Sequence, residues 1–236
     1  MKTHFMFLAG VAQLMIVSSA FADTIILASN NATIQPTGPR TGTNGKVFFN
    51  MEGSSNGSFA SFGVIDFQVP NGVTFGPGGT LSLSLTQDNA AFTANGSLAF
   101  YVSTDTTTNI DPGSSPLAFD ATASSLPTGI DAQLGTNYPL GMGTFTEVAN
   151  GHLDLFSFTP TGAALSYLTT EIDTAGKVRL IVAPGDATVA ATYSGFSNNT
   201  FQGPELTISA TSVPEPSLMM LEAGLVLVMV CIRRRL

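Results

Sequence analysis

The chain has 236 residues, 44% of them hydrophobic, a formal net charge of −8 and one cysteine. That length allows one domain with a real core, and a single cysteine excludes a disulfide framework and thiolate zinc sites. The acid excess repels nucleic acid and anionic lipid, so no nucleic-acid partner is expected.

The first residues read as an export signal. Lys2 and His4 make a weakly basic start, Phe5 to Val17 is an apolar run, and Ala20-Phe21-Ala22 is small-x-small. Signal peptidase needs small side chains at its two binding pockets, here Ala20 and Ala22. Cleavage after Ala22 makes residues 1–22 a signal peptide and Asp23 the mature N-terminus. Between Asp23 and Ser212, Arg40, Lys46, Lys177 and Arg179 face fourteen acids, a net charge of −10. Cys231 falls outside this stretch, so a cysteine nucleophile is excluded from it.

Residues 23–212 read as one β-rich domain. Thr24-Ile25-Ile26-Leu27 is a first strand, Asn30 to Asn44 a polar loop, and Lys46 to Met51 a strand. Phe59 to Val69 is the best early strand, with a twist or bulge expected at Ile65-Asp66-Phe67. Leu81, Leu83 and Leu85 alternate with Ser82, Ser84 and Thr86, and Leu98, Phe100 and Val102 repeat the pattern. Period two predicts one buried face on each strand. The two are expected to pair through the Asp88–Gly96 connection. Asp105 to Asn150 is rich in proline and glycine and reads as a long insertion, with short strand pieces at Leu117–Phe119 and Gly143–Thr146. His152 to Thr159 is a strand with Leu153 and Leu155 on one face and Asp154, Phe156 and Phe158 on the other.

Thr159-Pro160-Thr161 starts a short helix, with a hydroxyl available to cap it. Ala164, Leu165, Leu168 and Ile172 carry the helical spacing, and Gly176 ends it. Lys177–Ala183, Ala187–Tyr193 and Glu205–Ala210 are closing strands. Many short strands and one short helix predict an all-β fold. Its expected form is a two-layer antiparallel β-sandwich, jelly-roll-like.

Residues 213–236 have a different character. Val213-Pro214-Glu215-Pro216-Ser217 is an extended tag, because proline lacks an N–H and restricts its predecessor. Leu218 to Ile232 is an apolar span that can enter lipid as a helix, interrupted by Glu222. Arg233, Arg234 and Arg235 form a basic stop held on the cytoplasmic side. Tag, span and basic end together resemble the PEP-CTERM sorting signal of Gram-negative bacteria. The resemblance implies a membrane processing enzyme, exosortase, acting at Val213, Pro214, Glu215 and Pro216. It implies export through an inner-membrane intermediate to the cell surface or the medium.

The closing strands carry a second resemblance. Leu155 to Thr159, the Ala164–Leu168 helix, Gly176 to Leu180, Tyr193-Ser194 and Pro204 to Ile208 follow one order. That order is similar to the DNRLRE-type jelly rolls of secreted bacterial proteins, relatives of carbohydrate-binding modules. Ser61 to Phe67 resembles that family's apolar-Asp-Phe strand. Ser197-Asn198-Asn199 stands where the family has a Ser-Arg-Glu element.

Little of the usual catalytic chemistry is present. His152 is the one histidine of residues 23–212, has no nucleophile-elbow sequence beside it, and reads as a strand-edge surface residue. Gly76-Pro77-Gly78-Gly79 lacks a following Lys-Ser/Thr and reads as a turn. Asp105, Asp111, Asp173 and Asp186 are loop carboxylates that could ligate a structural calcium, without EF-hand spacing. No other cofactor is expected. Sugar stacks on flat aromatic faces, and Tyr138, beside Pro139, is the tyrosine expected to be exposed.

The function expected is that of an exported, non-catalytic surface protein associated with extracellular polysaccharide in a biofilm matrix. Two other classes stay open. One is a structural or adhesive protein that binds other proteins through exposed edge strands, and the other is a carbohydrate-active enzyme with two facing carboxylates.

Overall fold

The computed structural model describes residues 23–41, 44–88, 92–111, 113, 117–120 and 134–210. The expected signal peptide, with Ala20 and Ala22, and the whole Val213–Leu236 tail lie outside the described residues. Among the described residues no helix is long and apolar enough to cross a membrane.

Among the described residues twelve strands follow in order. They are β1 (Thr24–Leu27), β2 (Asn30–Gln35), β3 (Gly38–Pro39), β4 (Phe48–Glu52), β5 (Phe62–Gln68) and β6 (Thr80–Thr86). Then come β7 (Gly96–Ser103), β8 (Asn137–Phe145), β9 (Leu153–Phe158), β10 (Lys177–Pro184), β11 (Ala190–Ser194) and β12 (Glu205–Ser209). A short α1 (Asn44–Val47) precedes β4, a 3-10 turn spans Ser54–Phe59, and α2 (Gly162–Asp173) separates β9 from β10. The fold is all-β and its strand pairs are antiparallel. One sheet has the order β1-β12-β6-β9, a second β3-β2-β5-β10-β7-β8, and β11 pairs β4 in a third.

The two larger sheets meet across one core, and period two decides who enters it. Leu81, Leu83 and Leu85 of β6 and Leu206 and Ile208 of β12 point in from the first sheet. Ile65 and Phe67 of β5, Leu98, Phe100 and Val102 of β7, and Leu180 and Val182 of β10 point in from the second. On β9 the phenylalanine face is the buried one. The rings of Phe156 and Phe158 pack on Phe100, with centroids 4.6 and 5.0 Å away. Burying an aromatic removes more apolar area from water than burying a leucine, so Leu153 and Leu155 take the wet side.

Glycine makes room for those rings. A Cβ on Gly143 of β8 would stand 2.5 Å from Phe156 Cδ1, closer than any carbon contact allows. This is why the nine-residue strand Asn-Tyr-Pro-Leu-Gly-Met-Gly-Thr-Phe pairs with β7 although it reads as broken. The expected strand piece at Gly143–Thr146 is therefore the end of a much longer strand.

The Asp105–Asn150 stretch also covers the back of the second sheet. Ile110, Leu117, Phe119 and Leu134 pack there on Phe62, Val64, Ala99, Tyr101 and Ile181 to form a second core. Leu117 and Phe119 serve as anchors in that core and belong to no strand. With both faces covered, β5 is buried along six of its seven positions.

Other expectations are corrected. β5 runs in unbroken register against β2 and β10, so no bulge occurs at Ile65-Asp66-Phe67. Asp66 is accommodated by a charged partner instead of a kink. β6 and β7 do not pair, because the chain crosses between sheets after β6, where Gln87 and Asp88 join the β11 side. The polar stretch from Asn30 contains β2, whose backbone pairing to β5 overrides its weak strand propensity. Lys46 lies in α1 and not in a strand. Thr161 is the N-cap of α2, but its side chain makes no capping bond. The helix stops at Asp173, and Ala175, not Gly176, takes the left-handed conformation, at φ 54°.

Candidate functional site

Among the described residues the most deeply buried charges are Asp66 and Arg179, 3% and 1% exposed. β5 and β10 place them directly opposite each other on the face that the second core covers. Arg179 Nε donates to Asp66 Oδ1 at 2.6 Å and Nη2 to Oδ2 at 2.9 Å. Its third nitrogen, Nη1, donates to the carbonyls of Asp105 and Thr108 at 3.1 and 2.9 Å. Lys177 Nζ lies 3.7 Å from Asp66 Oδ2 and donates to the Thr106 carbonyl. Strand register continues this row on both sides, to Asn30 on β2, and to Ser103 and Asn137 on β7 and β8.

All three guanidinium nitrogens are turned to protein acceptors. The row holds the chain after β7 against the sheet. Asp105 serves the same end, accepting from the Thr107 N–H and hydroxyl and from the Thr108 N–H. Burial pushes its carboxyl up, but the hydrogen bonds from Thr108 and Thr107 outweigh that and hold it well below the usual carboxylate range. Sequence reasoning misses the Asp66–Arg179 pair, although a signal for it exists. A lone acid and a lone base inside two apolar strands must find partners, since an unpaired buried charge is prohibitively costly.

A second cluster surrounds Asp154. Its Oδ2 accepts from the Tyr193 hydroxyl at 2.8 Å and from Gln87 Nε2 at 2.9 Å. Gln87 also donates to the Thr146 carbonyl and accepts from the Val148 N–H, so it pins the chain before β9. Burial first, and then the Asp154 carboxylate, push the Tyr193 hydroxyl far above its usual range and keep it a neutral donor. His152 Nε2 stands 3.5 Å from Asp154 Oδ1, with its side chain 43% exposed. A histidine oriented by a carboxylate is one part of a nucleophilic site; a hydroxyl or thiol within hydrogen-bond reach is the other. Among the described residues no hydroxyl or thiol hydrogen-bonds to His152.

The four aspartates expected around a calcium occupy separate roles. Asp105 caps its own turn. Asp111 pairs with Lys46 and accepts from Asn30 Nδ2. Asp173 accepts the Phe75 N–H at 2.9 Å from the end of α2. Asp186 Oδ2 accepts the Ser97 N–H and hydroxyl, and its Oδ1 accepts from Thr188 and Val189. Among the described residues no three acids, histidines or cysteines gather where one ion could sit.

Tyr138 is half-buried and packs on Tyr167 of α2, with ring centroids 6.1 Å apart. Among the described residues the buried Tyr167 hydroxyl has no hydrogen-bond partner, and burial, with Glu171 beside it, pushes it up to about 12. The tyrosine expected to offer a free flat face is therefore part of a packed pair. The exposed phenylalanines among the described residues are Phe59 and Phe92.

The outer face of the first sheet is the remaining surface with a pattern. Its centre is lined by Ser82 of β6 and Thr207 and Ser209 of β12, with Ser82 and Ser157 hydroxyls 2.8 Å apart. Its two margins are aliphatic. Ile25 and Leu27 on β1 are each 62% exposed, and Leu153 and Leu155 on β9 are 56% and 63% exposed. Exposed aliphatics are ordinary singly; here they stand as one pair on each margin of the face. No protein-family model matches the chain, and no curated protein matches it.

Proposed function

We propose that this chain is an exported, non-catalytic structural protein of an extracellular matrix, joined to its neighbours through the β1-β12-β6-β9 sheet. The observation that carries this reading is the aliphatic-edged outer face of that sheet, above all the Leu153 and Leu155 margin on β9. The ends of the chain support export. Ala20 and Ala22 fit signal peptidase, and the Pro214-Glu215-Pro216 tag, apolar span and Arg233–Arg235 fit exosortase sorting. The finer fold within this reading is a jelly roll similar to the DNRLRE type, with α2 over one end of the sandwich.

The test is retention. After salt washing of the extracellular matrix, the wild-type protein is expected to stay bound, and a Leu153→Lys/Leu155→Lys variant to wash out. Equal retention of the two would contradict the reading. Matrix polysaccharide is the second reading, supported by the hydroxyl-lined centre of the same face, where Ser82 and Thr207 could hydrogen-bond sugar. Retention on isolated polysaccharide that falls in a Ser82→Val/Thr207→Val variant favours it; no retention removes it.

A further inference from the structure

We propose that Lys46 and Asn30 join through an isopeptide bond with loss of ammonia, and that Asp111 carries the protons between them. The bond is independent of how the protein meets its neighbours. Lys46 Nζ donates to Asn30 Oδ1 at 2.9 Å and also to Asp111 Oδ1. Asn30 Nδ2 donates to that same Asp111 oxygen at 3.4 Å. One carboxylate oxygen therefore faces both the amine that attacks and the amide nitrogen that leaves. The carbonyl carbon, Asn30 Cγ, lies one bond beyond the atom that Nζ touches, at the edge of attack range.

Each group is held from outside the trio. Asn30 opens β2 and pairs with Asp66 of β5. Lys46 sits in α1, where its carbonyl accepts the Ser197 N–H, and its Nζ stands 5.4 Å from the centre of the Phe196 ring. Asp111 follows Ile110, which is anchored in the second core, and its N–H donates to Asn109 Oδ1. Groups fixed in this way meet at a high effective concentration. Residues 23–212 hold no cysteine, so a bond from residue 30 to residue 46 supplies the covalent loop closure that a disulfide gives other exported domains.

The step is redox-neutral and needs no co-reactant. Asp111 takes a proton from the Lys46 ammonium, and the freed Nζ lone pair attacks Asn30 Cγ. Asp111 returns that proton to Nδ2 and takes a second one from Nζ as the Cγ–Nδ2 bond breaks. Ammonia departs and collects the second proton, so an ammonium ion is released and Asp111 is a carboxylate again. One C–N bond forms and one breaks. The resting pair is ionic, since the hydrogen bond from Lys46 holds the Asp111 carboxyl below its ordinary range, so the first transfer is uphill and the reaction slow. Each molecule needs it once, and the Lys46 and Asp111 side chains are 32% and 45% exposed, so ammonia escapes to water and the bond does not reverse.

Mass spectrometry of the protein purified from its producing cells, after digestion with trypsin and a glutamate-specific protease, tests this. The expected product is a branched peptide of residues 23–40 joined to residues 41–52, lighter by one ammonia than the two together. Lys46 stays uncut, whereas Lys177, which faces a carboxylate and a backbone carbonyl, is cut. Lys46→Arg keeps the ion pair but has no nucleophilic amine, and Asp111→Asn keeps the size but takes no proton. Both are expected to lose the branch while keeping the circular dichroism spectrum of the wild type, and Asn30→Ala loses it as well. A wild-type chain that is linear and cut at Lys46 overturns the bond. A branch lighter by one water and joined to Asp111 overturns the assignment of Asn30. An Asp111→Asn protein that carries the branch as fully as wild type overturns the role of the carboxylate.

Discussion

Replacing Arg179 with methionine removes the charge that Asp66 was buried against. Asp66 stays 3% exposed, with only Lys177, 3.7 Å away, to balance it. Breaking one side of a buried pair costs about 3–5 kcal/mol, and the half-exposed Lys177 offsets little of that. The carbonyls of Asp105 and Thr108 also lose their donor, but water can reach a loop, so that loss is small. A total of about 4 kcal/mol is a large share of the ~5–15 kcal/mol that holds a domain together. For a domain of this size it lowers the melting temperature by roughly 12 °C, read by far-UV circular dichroism. Adding Asp66→Leu removes the orphaned carboxylate and is expected to restore most of the loss. Limited proteolysis gives a second readout, with Arg179→Met newly cut between Thr104 and Asp111. A single variant that loses under ~1 kcal/mol, or a double variant no more stable than the single, refutes the assignment of the pair.

Two further perturbations probe packing and pH. A Cβ on Gly63 would stand 2.1 Å from Phe49 Cε2 and 3.0 Å from Met51 Sδ, both side chains fully buried. Gly63→Ala is therefore expected to cost ~2–3 kcal/mol by urea unfolding, and Phe49→Leu added to it to recover part; a near-neutral Gly63→Ala refutes the contact. Burial pushes the Asp186 carboxyl up, but hydrogen bonds from Ser97, Thr188 and Val189 outweigh that and hold it at about 2. A carboxyl depressed on folding adds stability above its unfolded value of about 3.9, and that contribution is lost as pH falls through the folded value. Asp186→Asn should thus be less stable than wild type at neutral pH, with the gap closing between about pH 4 and pH 2; a constant gap contradicts the assignment.

Strands with clean alternation are legible in the sequence. Leu81-Leu83-Leu85 and Leu98-Phe100-Val102 alternate as strands do, and α2 announces itself by helical spacing; the single buried face expected of each strand fails on β7, whose Ala99 and Tyr101 are buried in the second core. Strand pairing is not legible, because β6 and β7 are neighbours in the chain but lie in different sheets. β8 is hidden because its glycines are there for the rings of Phe156 and Phe158, which come from another part of the chain. The role of Leu117 and Phe119 is hidden for the same reason, since their partners are on the back of a distant sheet. The site is less legible than the fold. Carboxylates such as Asp186 and Asp105 read in the sequence only as loose loop acids, and their local partners, N–H and hydroxyl groups two or three residues away or on a strand neighbour, emerge only with the fold. Asp66 and Arg179 are readable as charges out of place but not as each other's partners, 113 residues apart.

The central claim is export with processing at both ends, and the intact mass of the mature protein from its producing cells tests it most directly. A chain beginning at Asp23 and lacking the residues after the Pro214-Glu215-Pro216 tag is the expected result. A mass that still includes Leu218–Leu236 would contradict the claim and leave a domain anchored at the inner membrane.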